Sequence, residues 1–349
     1  MMVEISAILT TRNRAHLLPR VLSALAVQNI DAARFEIIAI DDGSTDATPQ
    51  VLAHWETTLR LRIFRQNHAG LAAAKNLGVL VARSPIVVFL DDDDVVDEDL
   101  LRAHLAAHIR HPESTTAVLG HTRLSAGVAD VPVMRHVTEV GCQLFSYGWM
   151  KEGQWLSHTE FWGGRSSCKR ELLVQHGLFR PEFTFGCEDI ELGWRLARHG
   201  LRVLYEPKAR TSMIRSLTFD QFCARSYRQG RSQRVFAQLH QEADVRTYCE
   251  IDSALSNWPR QRMGYGAHLR WTRELDRLAI NWTQVGLTIP KLFQQTLDTA
   301  YRTAFALSRA KGVMDMDAQL SRKPTEKIET GFRSLMEFGL QPLLGANVT

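Results

Sequence analysis

The sequence predicts an α/β fold: a Rossmann-like, mostly parallel sheet with helices on both faces, followed by a helical C-terminal extension. Three observations carry this reading. Apolar strand-like runs alternate with helical periods through residues 4–90. Two of those runs end in aspartates, at Asp41-Asp42 and at Asp91-Asp92-Asp93-Asp94. From Thr218 onward the apolar spacing is helical. A βαβα order favours parallel strands covered on both sides, and open sheets of this kind keep ligands at the carboxyl ends of their strands. The expected division is a catalytic α/β domain over 1–212 and a helical region over 213–349.

The elements follow in order. Residues 4–9 read as a strand. A helix over 17–28 carries Leu18, Val21, Leu22 and Leu25 at helical spacing. Phe35 to Ile40 is a second buried run, closed by Asp41-Asp42-Gly43-Ser44, and Ser44 or Thr45 is placed to cap a helix over 49–55. A short strand over 61–65 precedes an Ala-rich helix over 70–82. Ile86 to Leu90 is continuously apolar, which suits a strand buried on both faces. Residues 120–184 are rich in Gly, Trp and Ser and read as long functional loops. A helix over 188–199 ends near Gly200, followed by a last strand over 201–205. Thr218 and Gln221 have the spacing of a capping box. Further helices are expected over 265–281 and 289–309, and a polar turn over 323–330.

Composition narrows the function class. The chain has 349 residues, 45% apolar and 23% charged, and a formal net charge of +4. No stretch approaches the 18 or so apolar residues of a spanning helix, and residues 1–10 lack the basic and apolar regions of a secretory signal. Five scattered cysteines form no CxxC pair, so neither a zinc site nor a disulfide framework is expected. A reduced, cytoplasmic setting fits, with room for peripheral contact at the inner face of a membrane. The mild charge does not point to nucleic acid.

The aspartate run needs a physical account. Two bare carboxylates about 4 Å apart repel by roughly 4 kcal/mol at an effective dielectric near 20. Four in succession therefore need water or a cation. Alternate strand residues share a face, so Asp91 and Asp93 can act together on Mg²⁺ or Mn²⁺, both of which prefer hard oxygen ligands. Residues 94–99 read as a solvated acidic loop that opens the next helix, where acidic side chains favour the dipole.

Several segments together resemble one family. ISAILTTRNR, IIAIDDGSTDAT, NHAGLAAAKNLGV, VVFLDDDD, and GRSSCKRELLVQHGLF with GCEDIELGWRLARHGLRVLYEP are similar, in this order, to the motifs of family 2 glycosyltransferases. The match covers about residues 3 to 210. The resemblance implies a GT-A fold and inverting transfer of a sugar from a nucleoside-diphosphate sugar, with a uridine diphosphate sugar favoured. The acceptor would be a glycan, a lipid-linked molecule or a small molecule. It also implies roles. Thr10, Thr11 and Arg12 would lie on the loop around the nucleotide, and Asp41 would read its base, with Asp42 structural. Lys75 would sit near the nucleotide, although a lysine in an Ala-rich helix is more often a solvated surface residue. Asp91 and Asp93 would hold Mn²⁺ or Mg²⁺, with Asp93 the direct ligand, and Asp92 would touch the ribose. Asp189 would be the general base and Glu188 an acceptor-binding neighbour. Trp162, Gly163 and Gly164 would form a sugar-stacking loop, although core packing of Trp162 is an equal reading.

One departure from the family stands out. Many relatives carry a histidine after the last strand as a third metal ligand. Here the stretch is RTSMIRSLTF, with Met213 or Ile214 at that place, and neither side chain suits Mg²⁺ or Mn²⁺. Weak metal binding, or partial replacement of the cation by Arg215, is the consequence. Arg225, Arg228, Arg231 and Arg234 follow at spacing three. Most of them read as solvated, with one or two near Gly230 able to meet the diphosphate or an anionic acceptor. Two other classes compete with the transferase reading. A sugar nucleotidyltransferase would usually open with a Gly-rich phosphate loop, which residues 10–14 lack. A non-catalytic nucleotide- or sugar-binding protein would have little reason to keep both acidic motifs.

Overall fold

The computed structural model describes residues 3–322. The polar turn expected over 323–330 and the end of the helical region lie outside the described residues. In chain order the elements are β1 (Ile5–Thr11), α1 (Leu18–Ala26), β2 (Phe35–Asp41), α2 (Thr48–Leu59), β3 (Leu61–Arg65), α3 (Leu71–Val81), β4 (Ile86–Leu90), β5 (Asp94–Val96) and α4 (Leu100–Arg110). Then come β6 (Thr116–Leu124), α5 (Ala126–Ala129), α6 (Pro132–Arg135), β7 (Trp155–Leu156), β8 (Ser166–Lys169), α7 (Arg170–His176), α8 (Glu188–Ala197) and β9 (Arg202–Met213). The remainder is helical: α9 (Phe219–Leu239), α10 (Ala243–Tyr248), α11 (Ile251–Gln284) and α12 (Lys291–Arg322). No helix among the described residues is long and apolar enough to cross a membrane.

The sheet order is β3-β2-β1-β4-β8-β6-β9-β5, with β7 also paired to β9. The first four strands are mutually parallel, as the βα alternation predicts. Beyond β4 the sheet is mixed, because β8 runs antiparallel to both β4 and β6. The two-residue period is visible in β4. Val87 and Phe89 join the core beneath α3, α7 and α8, while Ile86, Val88 and Leu90 join the core beneath α1, α2 and α4. Burying side chains of this size contributes roughly 1.5–3 kcal/mol each. That is enough to hold β4 in place against the repulsion among the aspartates that follow it.

A helical layer packs beside the sheet. Phe219 and Phe222 of α9, Tyr301 and Phe305 of α12 and Ala279 of α11 share one core with Met213 and Val133. The α9–α12 crossing depends on two glycines. A Cβ on Gly230 would lie 2.0 Å from the Arg309 carbonyl oxygen, and one on Gly312 would lie 2.0 Å from the Tyr227 carbonyl oxygen.

Several expectations are corrected. Neither Ser44 nor Thr45 caps α2, which starts at Thr48. Ser44 Oγ instead accepts from Asn13 N, and Asp46 Oδ1 accepts from Thr48 N. The last strand does not stop near residue 205. It runs to Met213, with a register shift against β6 between Leu119 and His121 that lets residues 206–209, including Pro207, bulge out of the ladder. The helices expected over 265–281 and 289–309 are longer at one or both ends, and α11 continues through Pro259. Asp94 is not part of a solvated loop. It opens β5, is 1% exposed, and accepts from Thr211 Oγ1 at 2.9 Å. The capping box at Thr218–Gln221 is formed.

Candidate active site

The carboxyl ends of β1 and β4, the start of α3, the loops over 141–146 and 162–165, the start of α8 and the face of α9 enclose one open cleft of about 1440 Å³. Thr10, Thr11, Arg12, Lys75, Asp91, Asp92, Asp93, Trp162, Gly163, Gly164, Glu188 and Asp189 all line it. Asp41 does not. It is 1% exposed, and its Oδ1 accepts from Ser44 N at 2.9 Å. Its Oδ2 has no hydrogen-bond partner and lies 3.6 Å from Arg65 Nε. Asp42 lines the cleft instead, and accepts from Gln66, Ala69 N and Gly70 N while pairing with His68. Burial pushes against its charge, and these donors overcome it and lower its pKa.

At the end of β4 each aspartate meets a different group. Asp91 Oδ2 lies 3.1 Å from Arg165 Nη2, Asp92 Oδ1 lies 3.3 Å from Arg14 Nε, and Asp93 Oδ2 lies 2.7 Å from Arg215 Nε. Arg165 also approaches Asp94 at 3.8 Å. Burial raises Asp92 to about 7, reinforced by the charge of Asp93 and opposed by Arg14. Burial likewise raises Asp94 to about 7, opposed by Arg165. Three guanidiniums therefore do the work that bulk water would otherwise do for four carboxylates. Arg165 lies in the GRSSCKRELLVQHGLF segment, but nothing in that segment points to Asp91. It is 74 residues from Asp91 in sequence, and only the β8 pairing brings it there.

The donor set suits a hard cation in part. Asp91 and Asp93 supply carboxylate oxygens. Met213 is buried and lines the same cleft, and Ile214 N donates to the Asp93 backbone oxygen, so no side-chain ligand stands at the histidine position. Among the described residues no group of three or more His, Cys, Asp or Glu is placed to hold a metal ion. A cation here would take its remaining ligands from diphosphate and water.

Lys75 is the opposite of a surface lysine. It is 3% exposed, its Nζ lies 3.2 Å from Glu188 Oε1, and it stands over the Phe179 ring at 5.1 Å. Burial would lower its pKa, but the carboxylates of Glu188, Asp189 and Asp91 outweigh that and raise it. Burial raises the Glu188 pKa, with Lys75 opposing. Glu188 Oε2 has no hydrogen-bond partner. Asp189 Oδ2 accepts from Gly163 N at 3.0 Å, and Oδ1 accepts from Ile190 N at 2.8 Å. The helix they open, α8, is preceded by two left-handed residues, Gly186 (φ 72°) and Cys187 (φ 64°). A cysteine in that region stores backbone strain at the edge of the cleft.

Two consecutive glycines join the acidic sites. A Cβ on Gly164 would lie 1.9 Å from Asp91 Oδ2. One on Gly163 would lie 2.5 Å from Lys75 Nζ and 3.2 Å from Asp189 Cβ. Trp162, just before them, donates from Nε1 to the Thr159 carbonyl oxygen and packs edge-on against Tyr147 at 5.4 Å. It serves the core and the cleft wall together. Of the arginine run, Arg231 and Arg234 are not merely solvated: they bind Gln319 and Asp317 of α12. Arg225 and Arg228 line the cleft.

Comparison with known proteins identifies the family and the fold. The family described as glycosyl transferase family 2 matches residues 6–162, and the one described as glycosyl transferase family group 2 matches residues 86–286. Validoxylamine A glucosyltransferase of Streptomyces hygroscopicus subsp. jinggangensis is 32% identical over 224 residues, 56% of this chain and 52% of that protein. Hyaluronan synthase of Pasteurella multocida is 27% identical over 227 residues, 57% of this chain and 23% of that protein. The chain thus spans about half the length, or less, of these curated relatives. Among solved structures, TarS 1–349 of S. aureus superposes with a TM-score of 0.52 at 16% identity, covering 90% of this chain and 92% of that one. The mannosyltransferase PcManGT of Pyrobaculum calidifontis, in complex with GDP-Man and Mn²⁺, superposes with a TM-score of 0.56 at 19% identity, covering 93% and 89%. At these identities the likeness shows the fold.

Proposed function

The chain belongs to the family 2 glycosyltransferases, and from that premise we propose that it moves a sugar from a nucleoside-diphosphate sugar to an acceptor hydroxyl with inversion at the anomeric carbon. A uridine diphosphate sugar is the favoured donor. The observation that carries the reading is the juxtaposition at Gly163-Gly164. One residue touches Asp91 of the first acidic site, and its neighbour touches Asp189 of the second. A sugar lying across these glycines would have its leaving group on the β4 side and the attacking hydroxyl on the α8 side.

In this reading Asp189 takes the proton of the acceptor hydroxyl, whose oxygen forms the new bond to the anomeric carbon as the bond to the β-phosphate breaks. Its two backbone hydrogen bonds fix the carboxylate without consuming all its lone pairs. Glu188 and Lys75 orient the acceptor and set the local charge. Asp91 and Asp93 hold Mn²⁺ or Mg²⁺, with Asp92 facing the ribose. A divalent ion bound there offsets the negative charge that develops on the departing diphosphate. Arg165 and Arg215 share that task. Thr10, Thr11 and Arg12 flank the nucleotide, and Asp41, buried behind the cleft wall, acts by holding the Ser44 backbone and Arg65. The catalytic domain ends near residue 212, and the described helices from α9 to α12 close the acceptor side.

The test is acceptor-dependent release of nucleoside diphosphate across a panel of donors and acceptors, repeated with Asp189→Asn. The substitution keeps the size of the side chain but removes the base. Turnover should fall about 10²-fold or more, with donor affinity measured by titration unchanged. Near-normal turnover would remove Asp189 from the role, and a larger loss with Glu188→Gln would transfer the role to Glu188.

A further inference from the structure

Apart from Arg12, which is exposed on the nucleotide side and makes no ion pair among the described residues, the arginines around the cleft fall into two groups. Arg14, Arg165, Arg215 and Arg309 each pair with a carboxylate: Asp92, Asp91, Asp93 and Glu250. Arg225 and Arg228 make no hydrogen bond and no ion pair among the described residues. Both instead stand over one ring, Phe185, with their guanidinium carbons 5.1 and 4.0 Å from its centre. Arg225 Nε is buried without a partner. Ser232 Oγ of α9 donates to the Phe185 carbonyl oxygen at 2.6 Å, which ties this ring to the helix that carries both arginines.

A charge with a buried donor, such as Arg225, is normally paired, and the exposed Arg228 stands beside it without a partner among the described residues. Two neighbouring guanidiniums held against one ring, in a cleft that a substrate must enter, form a site that lacks its anion. Burial disfavours the charge of both; Arg228 also feels the like charge of Arg215, while Arg225 is attracted by Asp91, Glu188 and Asp93 and opposed by Arg165. An arriving anion would relieve both repulsions. Guanidinium suits phosphate and carboxylate oxygens through paired N–H donors.

We propose that Arg225 and Arg228 form an anion subsite on the acceptor side of the cleft, and that the acceptor carries a phosphate or carboxylate group beside the hydroxyl that is glycosylated. The proposal rests on the transferase reading above. The donor diphosphate could supply the same chemistry, but position favours the acceptor. Phe185 lies on the segment that leads directly into Glu188 and Asp189, where the attacking hydroxyl must sit. Gln229, Gln233, Thr247 and Tyr248 line the same part of the cleft with hydrogen-bonding groups suited to a polyhydroxylated molecule. The wall that would receive the nucleotide is built from residues 10–14 and 91–93.

The experiment is calorimetric titration of glucose 6-phosphate, and of glucose as its neutral counterpart, into the full chain saturated with UDP and Mn²⁺. Glucose 6-phosphate should bind at least tenfold more tightly than glucose. Arg228→Gln and Arg225→Met should each weaken it tenfold or more and leave UDP affinity within twofold. Arg228 is exposed, so Arg228→Gln with an unchanged melting temperature decides the matter if Arg225→Met fails to fold. Loss of UDP affinity in either variant would assign the arginines to the diphosphate and overturn the proposal, as would equal binding of glucose and glucose 6-phosphate. Failure of UDP to bind the unaltered protein would instead sink the donor reading. The same sugar titrations without UDP would then still decide the subsite.

Discussion

Two pairs of carboxylates face the same cleft and are held in opposite ways. Asp91 and Asp93, just beyond β4, each meet a guanidinium, from Arg165 and Arg215. Glu188 and Asp189, at the start of α8, meet one buried ammonium and two backbone N–H groups, and Glu188 Oε2 meets nothing. The first pair is built to be neutral before a ligand arrives. It can hold a cation and a diphosphate without a large change in local charge. The second pair keeps acceptor capacity in reserve, and burial raises the Glu188 pKa. In the proposed reading, binding charge and moving a proton call for different surroundings, and the two pairs differ in that way.

The sharpest way to break the contrast is to remove the ammonium. Lys75 and Glu188 are each almost fully buried, and deleting one partner of such a pair costs about 3–5 kcal/mol. Lys75→Met should lose stability of that order in urea unfolding at pH 8. The pH dependence has a definite sign. Burial raises the folded pKa of Glu188 above its ordinary value of 4.5, so the fold favours the protonated form. Stability then falls as pH rises from near 4.5 through the folded value. Without Lys75 that fall is steeper, so the deficit of the variant should be largest at pH 8 and shrink towards pH 5. Adding Glu188→Leu should restore much of the loss. A deficit independent of pH and not relieved by the second change would mean that Lys75 matters for packing on Phe179 and not for charge.

The next test acts on the other pair. Asp93→Ala removes one carboxylate and leaves Arg215 in place. UDP affinity measured with Mn²⁺ should fall by about tenfold, ~1.4 kcal/mol, with the melting temperature little changed. Asp189→Asn should leave the same affinity untouched. Equal Mn²⁺ enhancement of UDP binding in Asp93→Ala and the unaltered protein would remove Asp93 as a metal ligand.

The contrast between the pairs was only half legible in the sequence. The sheet was readable because its strands repeat every two residues and its helices near every 3.6, and those periods are local. The aspartate block was readable as a site but not in its parts. Asp91 to Asp94 look equivalent in sequence, yet a turn at Asp92-Asp93 sends the chain back into β5, where Asp94 is buried between Thr122 and Thr211. That pairing depends on β9, more than a hundred residues away. Arg165 falls inside the GRSSCKRELLVQHGLF segment, but its contact with Asp91 was hidden for the same reason. Lys75 was placed near the nucleotide only by the family resemblance, because nothing local reveals that α3 turns this face towards Glu188. The full length of β9 was hidden by Glu206-Pro207-Lys208, which look like the end of a strand and are in fact a bulge. Arg215 could be named because it falls beside the missing histidine, but its contact with Asp93 needed the fold.

The smallest expected effect is the most informative about that histidine position. Arg215→Met removes a partly exposed guanidinium from Asp93, and ion pairs of this kind contribute only about 0.2–1 kcal/mol. Two consequences oppose each other. A positive charge facing the diphosphate is lost, so UDP binding without metal should weaken about threefold. The freed carboxylate becomes a better ligand, so Mn²⁺ binding to the nucleotide-free protein should tighten by a similar factor, as competition between guanidinium and cation for Asp93 Oδ2 requires. Metal and nucleotide strengthen each other's binding by equal factors, so any change in the Mn²⁺ enhancement of UDP binding must match the change in the UDP enhancement of Mn²⁺ binding. Calorimetric titration of UDP with and without Mn²⁺, and of Mn²⁺ alone, closes this cycle. If the variant loses metal-free UDP binding but gains nothing in Mn²⁺ affinity, Arg215 serves the diphosphate and does not compete for the metal position.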